Sequence, residues 1–307
     1  MNLLLVFEQF LNGLQFGVML FLMAAGLTLV FGIMNLVNLA HGSLYMVGAY
    51  LATAFFQWSG SLLVAVALAL PATLVVGILV EIIALRTLYE RDHLDQVLAT
   101  FGLILFFNEL VSIVWGRAAL YTGIPSFLGG HVEIVPGIRY PTYRMVVILV
   151  GLAVAVLLYV LVARTRVGML IRAGASNRTM VGALGVNIRL LYTLVFGLGA
   201  ALAGLAGLMA GPIYAVQPGM GEQILIQVFV VIVIGGIGSI RGAVVGAVVV
   251  GMVDTLGRAF LRPLLSTILS PNAADSAGPA LASMLIYLLM ATVLFFRPQG
   301  LFPARGR

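Results

Sequence analysis

The sequence predicts an all-α protein, a polytopic transmembrane bundle of about eight to ten spans, with broken or re-entrant helices near 34–43 and 234–243. Three observations predict it. First, 62% of the 307 residues are hydrophobic and only 8% are charged, at a mean hydropathy of +1.17, whereas soluble domains carry about a quarter charged residues. Second, no Asp, Glu, Lys or Arg occurs between Glu8 and Glu81. Third, the apolar runs are continuous and lack a period of two. In hydrocarbon every backbone N–H and C=O must be paired internally, so continuous runs favour helices over barrel strands. One transmembrane domain covers residues 1–307.

Hydropathy places spans near 10–33, 41–57, 62–85, 96–116, 143–163 and 191–211, then a long apolar run at 224–257 and a last span near 280–296. The run at 224–257 is too long for one helix. "IGGIGSIRGA" (234–243) interrupts it, because glycine weakens helix propagation and Arg241 is costly at mid-membrane. Two short or broken helices are expected there. Segment 164–189 carries Arg164, Arg166, Arg172, Arg178 and Arg189 with no acid, and the tail carries Arg297, Arg305 and Arg307. Both are expected to be cytoplasmic. Loop 86–95 falls on the same side, and segments 117–142 and 258–279 face outward. The side on which the chain starts depends on whether residues 34–41 cross, re-enter or break a helix. "MNLLLVFEQFLNGLQ" has no positive n-region and no small-residue cleavage site, so no removable signal peptide is expected.

Two residue types are missing. Without cysteine there are no disulfides and no thiolate sites, and without lysine all 16 basic residues are arginine. A Walker A loop needs a lysine for the β and γ phosphates, and a Schiff base needs a lysine amine. Work against a gradient using ATP would therefore need a partner that hydrolyses it. No HExxH motif, paired Asp-x-x-Asp or Ser-His constellation occurs, so no catalytic residues, no metal site and no enzyme activity are expected. No nucleic-acid partner is expected either.

Within the oily N-terminal half, "NLVNLAHGSLY" (35–45) stands out. Asn35 and Asn38 are three apart and would share a helix face, with His41 continuing the row. Ser43 could cap a helix beginning near Leu44. Either this is a short cytoplasmic turn, where polar groups cost nothing, or a broken helix beside a substrate pathway. "AHGSLYMVGA" (40–49) and "GIGSIRGAVVGA" (236–247) share a Gly-Ser followed by a Gly-Ala, the kind of paired interruption that accompanies transport repeats. Ala203, Gly207 and Gly211, and again Gly242 and Gly246, repeat small residues at four-residue spacing, which suits close helix packing. In the basic segment Ser176 could cap a short helix and Gly185 could stop it. That helix could dock in a partner's groove or simply hold arginines against anionic headgroups. Glu81, Asn108, Glu109 and Asp254 are the remaining costly groups, and Glu81, five residues before Arg86, is expected to be solvated at the surface.

Four blocks in order across nearly the whole chain carry a resemblance. They are "GLTLVFGIMNLVNLAHGSLYMVGAY" (26–50), segment 168–207 running through "LG-x-N" to "LAGLAG", "GGIGSIRGAVVGA" (235–247) and "FRPQGLF" (296–302). Together the chain resembles the branched-chain amino acid permease subunits of bacterial ABC importers. The resemblance implies a multi-pass subunit of the bacterial inner membrane, with its C-terminus and loop 164–190 cytoplasmic. It implies a homologous second permease, two ATP-binding subunits that bind ATP and magnesium, and a periplasmic amino-acid-binding protein. It maps the coupling element to Arg172 through Gly185, namely Arg172, Ala173, Ser176, Asn177, Gly182, Ala183, Leu184 and Gly185, with a helix near Ser176 to Leu184. The acid that often opens this element in other ABC importers is absent from "RAGASN" (172–177). The resemblance also favours the pathway reading of Asn35, Asn38, His41 and Ser43; Gly235, Gly236 and Ser239 at the second break are further candidates for the pathway. Relatives with this pattern also carry urea, amides or aromatic acids. The competing classes are an ion-coupled transporter or channel using Glu109 and Asp254, and a membrane-embedded transferase.

Overall fold

A computed structural model describes residues 3–303. Eleven α-helices account for most of them: α1 Leu3–Met34, α2 His41–Ser59, α3 Leu62–Val80, α4 His93–Trp115, α5 Thr142–Arg164, α6 Arg166–Ser176, α7 Arg178–Ala183, α8 Ile188–Ala210, α9 Met220–Gly235, α10 Ile240–Leu265 and α11 Pro271–Phe296. Seven are long and apolar enough to cross a membrane, namely α1, α3, α4, α5, α8, α10 and α11. The protein is an all-α polytopic bundle. A two-stranded antiparallel hairpin, β1 His131–Val135 and β2 Ile138–Pro141, lies in segment 117–142, expected to face outward.

The core forms around α1 and α8, whose apolar stretches are mostly buried, while α4, α5 and α11 keep broad exposed apolar faces. In lipid no hydrophobic force drives helices together, so close backbone approach must supply the packing energy. The four-residue repeats of small residues do this. A methyl group built on Gly207 would overlap the Tyr45 carbonyl oxygen, and one on Gly211 would lie 2.9 Å from the Thr122 hydroxyl. Gly242 and Gly246 pack against Gly235 and Val231 across the α9–α10 hairpin.

Both predicted breaks exist. Asn35, at φ 51°, is the one non-glycine residue at positive φ among the described residues and ends α1, its N–H donating to the Phe31 carbonyl at 3.0 Å. Asparagine tolerates this left-handed backbone better than most residues. Residues 35–40 are not helical, so Asn35 and Asn38 share no helix face. α2 starts at His41 rather than Leu44, behind Ala40, and Ser43 caps nothing. The second break is held open by Gly236 (φ 104°) and Gly238 (φ 81°). Beyond it α10 is one continuous helix of 26 residues, capped by the Ser239 hydroxyl, which accepts from the Gly242 N–H at 3.1 Å. Arg241 lies in the first turn of α10, where it reaches the Tyr159 ring, rather than at mid-span.

Contacts between elements define two faces. The end of α1 meets α6 and α8 through Ile33, Gly174 and Leu191, and Gly32 lies against Gly238. The tail joins the same face, with the Leu301 and Phe302 N–H groups donating to the Ile234 and Gly235 carbonyls at 2.8 and 2.9 Å. This face carries Arg86, Arg91, Arg164, Arg166, Arg172, Arg178, Arg189, Arg241 and Arg297. At the opposite face the start of α1 meets the hairpin, where Asn12 accepts from Arg144 at 2.6 Å and Tyr140 at 3.3 Å. The chain therefore begins its first span opposite the arginine-rich face.

Candidate functional site

The segment after Asn35 turns back into the bundle. His41 Nε2 lies 3.2 Å from the Met23 carbonyl oxygen, and a methyl group on Gly26 would sit 3.1 Å from the His41 ring. Met23 and Gly26 precede the end of α1 by eight to eleven residues, so at 1.5 Å per residue the chain has re-entered by about 12–16 Å. α2 thus begins inside the bundle, and Gly42 there packs against the first turn of α9 at Gly221.

This re-entry carries a buried polar cluster. Asn38, His41 and Ser43 are 0–2% exposed. Both amide atoms of Asn38, Nδ1 of His41 and the Ser43 hydroxyl have no hydrogen-bond partner among the described residues, and neither do the nearby-in-sequence Thr28 and Tyr50 hydroxyls. Each such group costs about 1–3 kcal/mol when buried unpaired. The structure divides the expected pathway set in two. Asn38, His41 and Ser43 are buried at the start of α2, whereas Asn35 is exposed at the end of α1, and Gly235, Gly236 and Ser239 form the second break on that same arginine-rich face.

The short α9 also starts within the bundle. Asn108 donates to Glu222 at 2.7 Å and accepts from the Gly219 N–H at 3.1 Å, so α4 holds the α9 N-terminus. Glu222, in the first turn of α9, is a further costly group, satisfied by Asn108 from a distant helix. The carboxylates considered for ion coupling have other partners. Glu109 is largely exposed, 3.6 Å from Arg117, and Asp254 is held by Arg258 at 2.9 and 3.0 Å.

On the arginine-rich face the expected coupling residues form an elbow of two helices, of which the second, α7, lies within the expected Ser176–Leu184 helix. Thr165 caps α6, accepting from the Gly168 N–H at 3.1 Å. Asn177, not Ser176, caps α7, accepting from the Met180 N–H at 2.9 Å, and Ser176 is the last residue of α6. Gly185, at φ 87°, stops α7 as expected. Its N–H donates to the Gly182 carbonyl and that of Val186 to the Val181 carbonyl, at 3.0 and 3.3 Å, the paired bonds of a Schellman terminus. Asn187 then caps α8 through the Leu190 N–H. Arg172 lies in α6 and donates to the Val162 carbonyl. Ala173 is partly covered, and Val181 is the buried anchor of α7. Gly182, Ala183, Leu184 and Gly185 are exposed, and Met180 and Leu184 stand 59% and 77% exposed among arginines. A groove of about 480 Å³ runs beside the elbow, bounded by the end of α1, residues 89–96 and Gly174–Arg178.

Glu81 overturns its expected place in solvent. It is fully buried in a π-helical turn (Glu81–Leu85) that ends the third span. Arg86 donates to it through Nε and Nη2 at 3.2 and 3.0 Å, the Tyr89 hydroxyl at 2.6 Å and the Thr193 hydroxyl at 2.7 Å. Four donors satisfy the carboxylate. Burial first, then the bond to Glu81, push the Tyr89 phenol far above its ordinary value, so it stays a donor.

Comparison with known proteins agrees with this architecture. The chain is 30% identical to the high-affinity branched-chain amino acid transport system permease protein BraD of Pseudomonas aeruginosa, over 96% of this chain and 94% of BraD. It is 29% identical to LivH of Escherichia coli, over 95% and 96%. The ribose import permease RbsC of Escherichia coli is 25% identical over 76% of this chain and 72% of its own. A solved inward-facing metal-chelate type ABC transporter shares the fold, with a TM-score of 0.51 at 19% identity, covering 94% of this chain and 85% of its own. The sequence profile of the branched-chain amino acid transport system / permease component family matches residues 9–294, and the chain belongs to that family.

Proposed function

We propose that this chain is the membrane permease subunit of an ABC importer for branched-chain or related hydrophobic amino acids. It pairs with a homologous second permease, two ATP-binding subunits that hold ATP and magnesium, and a periplasmic amino-acid-binding protein. It resides in the bacterial inner membrane with the arginine-rich face, the α6–α7 elbow and the tail in the cytoplasm. The arginine distribution supports this orientation. On the opposite face Arg117, Arg258 and Arg262 are each ion-paired with an acid.

The observation that carries the reading is the elbow itself. A capped, Schellman-closed helix projects Met180 and Leu184 from a basic surface. A six-residue helix buries little apolar area at a headgroup boundary, whereas a groove in a partner subunit takes the apolar tip and the arginines around it together. Closure of the ATP-binding subunits pushes α7, and the caps at Gly185 and Asn187 pass the push to α8. Because α8 is central, its motion shifts α1, α2 and α3 together. Separation of α2 from α9 at Gly42 and Gly221 then brings Asn38, His41 and Ser43 to the pathway. There a zwitterion meets amide, imidazole, hydroxyl and helix-end dipoles, which bind it weakly enough to release it.

The test is reconstitution of the whole importer in liposomes with labelled leucine. Uptake that requires both the binding protein and ATP is expected. Uptake by this chain alone, surviving nucleotide removal, overturns the reading.

A further inference from the structure

The polar groups between the elbow and the re-entrant segment form one connected path, and we propose that Glu81 and Gln96 are the positioning residues that carry motion along it. Gln96 is 3% exposed, in the first turn of α4. Its Nε2 donates to the Leu88 and Arg91 carbonyls, both at 3.2 Å. Its Oε1 accepts from the N–H of Val37 at 3.4 Å, inside the re-entrant segment, and lies 3.3 Å from His93 Nδ1. One amide therefore clamps the turn after the third span to the broken end of α1.

Glu81 clamps the same turn to α8, the helix that follows the elbow. It binds Arg86 and Tyr89 within the turn and Thr193 in the second turn of α8, which follows α7 directly. Thr193 also accepts from Arg86 Nη2 at 2.9 Å. Beside it, the Tyr192 ring meets the Tyr89 ring edge-on at 5.2 Å, and its hydroxyl lies 3.5 Å from the Ile33 carbonyl. The route runs from α7 through Gly185 to α8, from Thr193 to Glu81, along residues 86–91 to Gln96, and from Gln96 to Val37. Every step is a hydrogen bond or a backbone segment of a few residues.

Bonding on this scale has a structural alternative, since buried carboxylates and amides must be satisfied wherever they occur. The location separates the two readings. Residues 86–91 lack long helix, the π turn at Glu81–Leu85 interrupts the regular ladder, and 35–40 is non-helical. Such segments absorb backbone change that a continuous helix resists. The two side chains thus join three irregular segments of this face, the π turn, residues 86–91 and residues 35–40. Displacing α8 pulls the 86–91 turn through Glu81, and the turn pulls Val37 through Gln96.

This inference rests on the importer reading, and the test keeps the two apart. The complete importer is reconstituted with wild-type chain, Gln96→Leu, Thr193→Val or both, and leucine imported per ATP hydrolysed is measured beside the ATPase rate and the yield of assembled complex. If wild type imports no leucine, the importer reading itself fails. If it does, each single variant is expected to assemble and hydrolyse ATP within about twofold of wild type. Leucine per ATP should drop at least about tenfold, within the usual range of coupling between sites. Because the two changes break one series, the double variant should be no worse than the poorer single variant. An unchanged ratio, a proportional loss of uptake and ATPase, or losses that multiply in the double variant would each overturn the relay. Failure of both single variants to assemble would also overturn it, since the residues would then build the fold rather than move it.

Discussion

Gly185 offers the sharpest test of the elbow, because its environment isolates one physical effect. Its φ is 87°, and a methyl group built there meets nothing within 4 Å. A side chain costs no space, only backbone strain. For an L-residue other than glycine the left-handed conformation costs about 1–2 kcal/mol, less for asparagine and more for a β-branched residue. α7 has six residues, and its C-terminus depends on the two bonds that the Gly185 conformation allows. A penalty of about 2 kcal/mol shifts the intact elbow against its frayed form about thirtyfold. Gly185→Val should therefore reduce uptake at least about tenfold and abolish stimulation of the ATPase by loaded binding protein. Insertion and assembly should persist, since the core lies elsewhere. Gly185→Asn should stay within about threefold of wild type and Gly185→Ala should fall between. Proteoliposome uptake and ATPase rates across the series check this. Normal uptake by the valine variant would refute the reasoning. Equal damage from asparagine and valine would also refute it, by showing that side-chain bulk rather than backbone conformation decides.

Four further outcomes follow from the packing. His41→Ala removes the bond to Met23 and opens a cavity in the polar cluster. Uptake should fall several-fold with assembly retained, and unchanged uptake would remove His41 from the pathway. Gly207→Ala forces α2 and α8 apart at Tyr45 and should destabilise the chain by about 1–3 kcal/mol. Gly102→Ala in α4, where nothing lies within 4 Å, should instead stabilise it by about 0.5–1 kcal/mol, and melting of the two variants in detergent compares them. Gly300→Val places a side chain against the Gly236 backbone at φ 81° and should lift the tail from α9. Faster hydrogen exchange at Leu301 and Phe302 would register it, and unchanged exchange would show that the tail adapts.

Local signals proved readable from the sequence, and distant pairings did not. The spans follow from hydropathy, and both breaks follow from polar or glycine residues set in apolar runs. Gly185 was readable because a glycine after a short helical stretch has one common use. Ser176 misleads because its neighbour Asn177 can also cap, and Ser43 because no side chain caps α2 at all. Re-entry of residues 35–40 moved the α2 start to His41, and Asn177 took the cap of α7. Glu81 looks like a surface acid because Arg86 follows so closely, yet it is buried and takes a hydrogen bond from Thr193, 112 residues away. Asn108 and Glu222 are 114 apart, and Gln96 and Val37 are 59 apart. No local pattern announces such pairs, since a single polar residue in an apolar span does not indicate which helix it will face.

The chain has no cysteine, so one introduced thiol is the only thiol it carries. Met180→Cys places it on the exposed tip of α7, and Trp58→Cys places another on the opposite face at the end of α2. In intact cells expressing the complete importer, a short thiol–amine cross-linker applied to Met180→Cys should join this chain to an ATP-binding subunit. A membrane-impermeant maleimide should label Trp58→Cys but not Met180→Cys. Labelling of the Met180→Cys thiol from outside, or no cross-link to any ATP-binding subunit, would contradict the account.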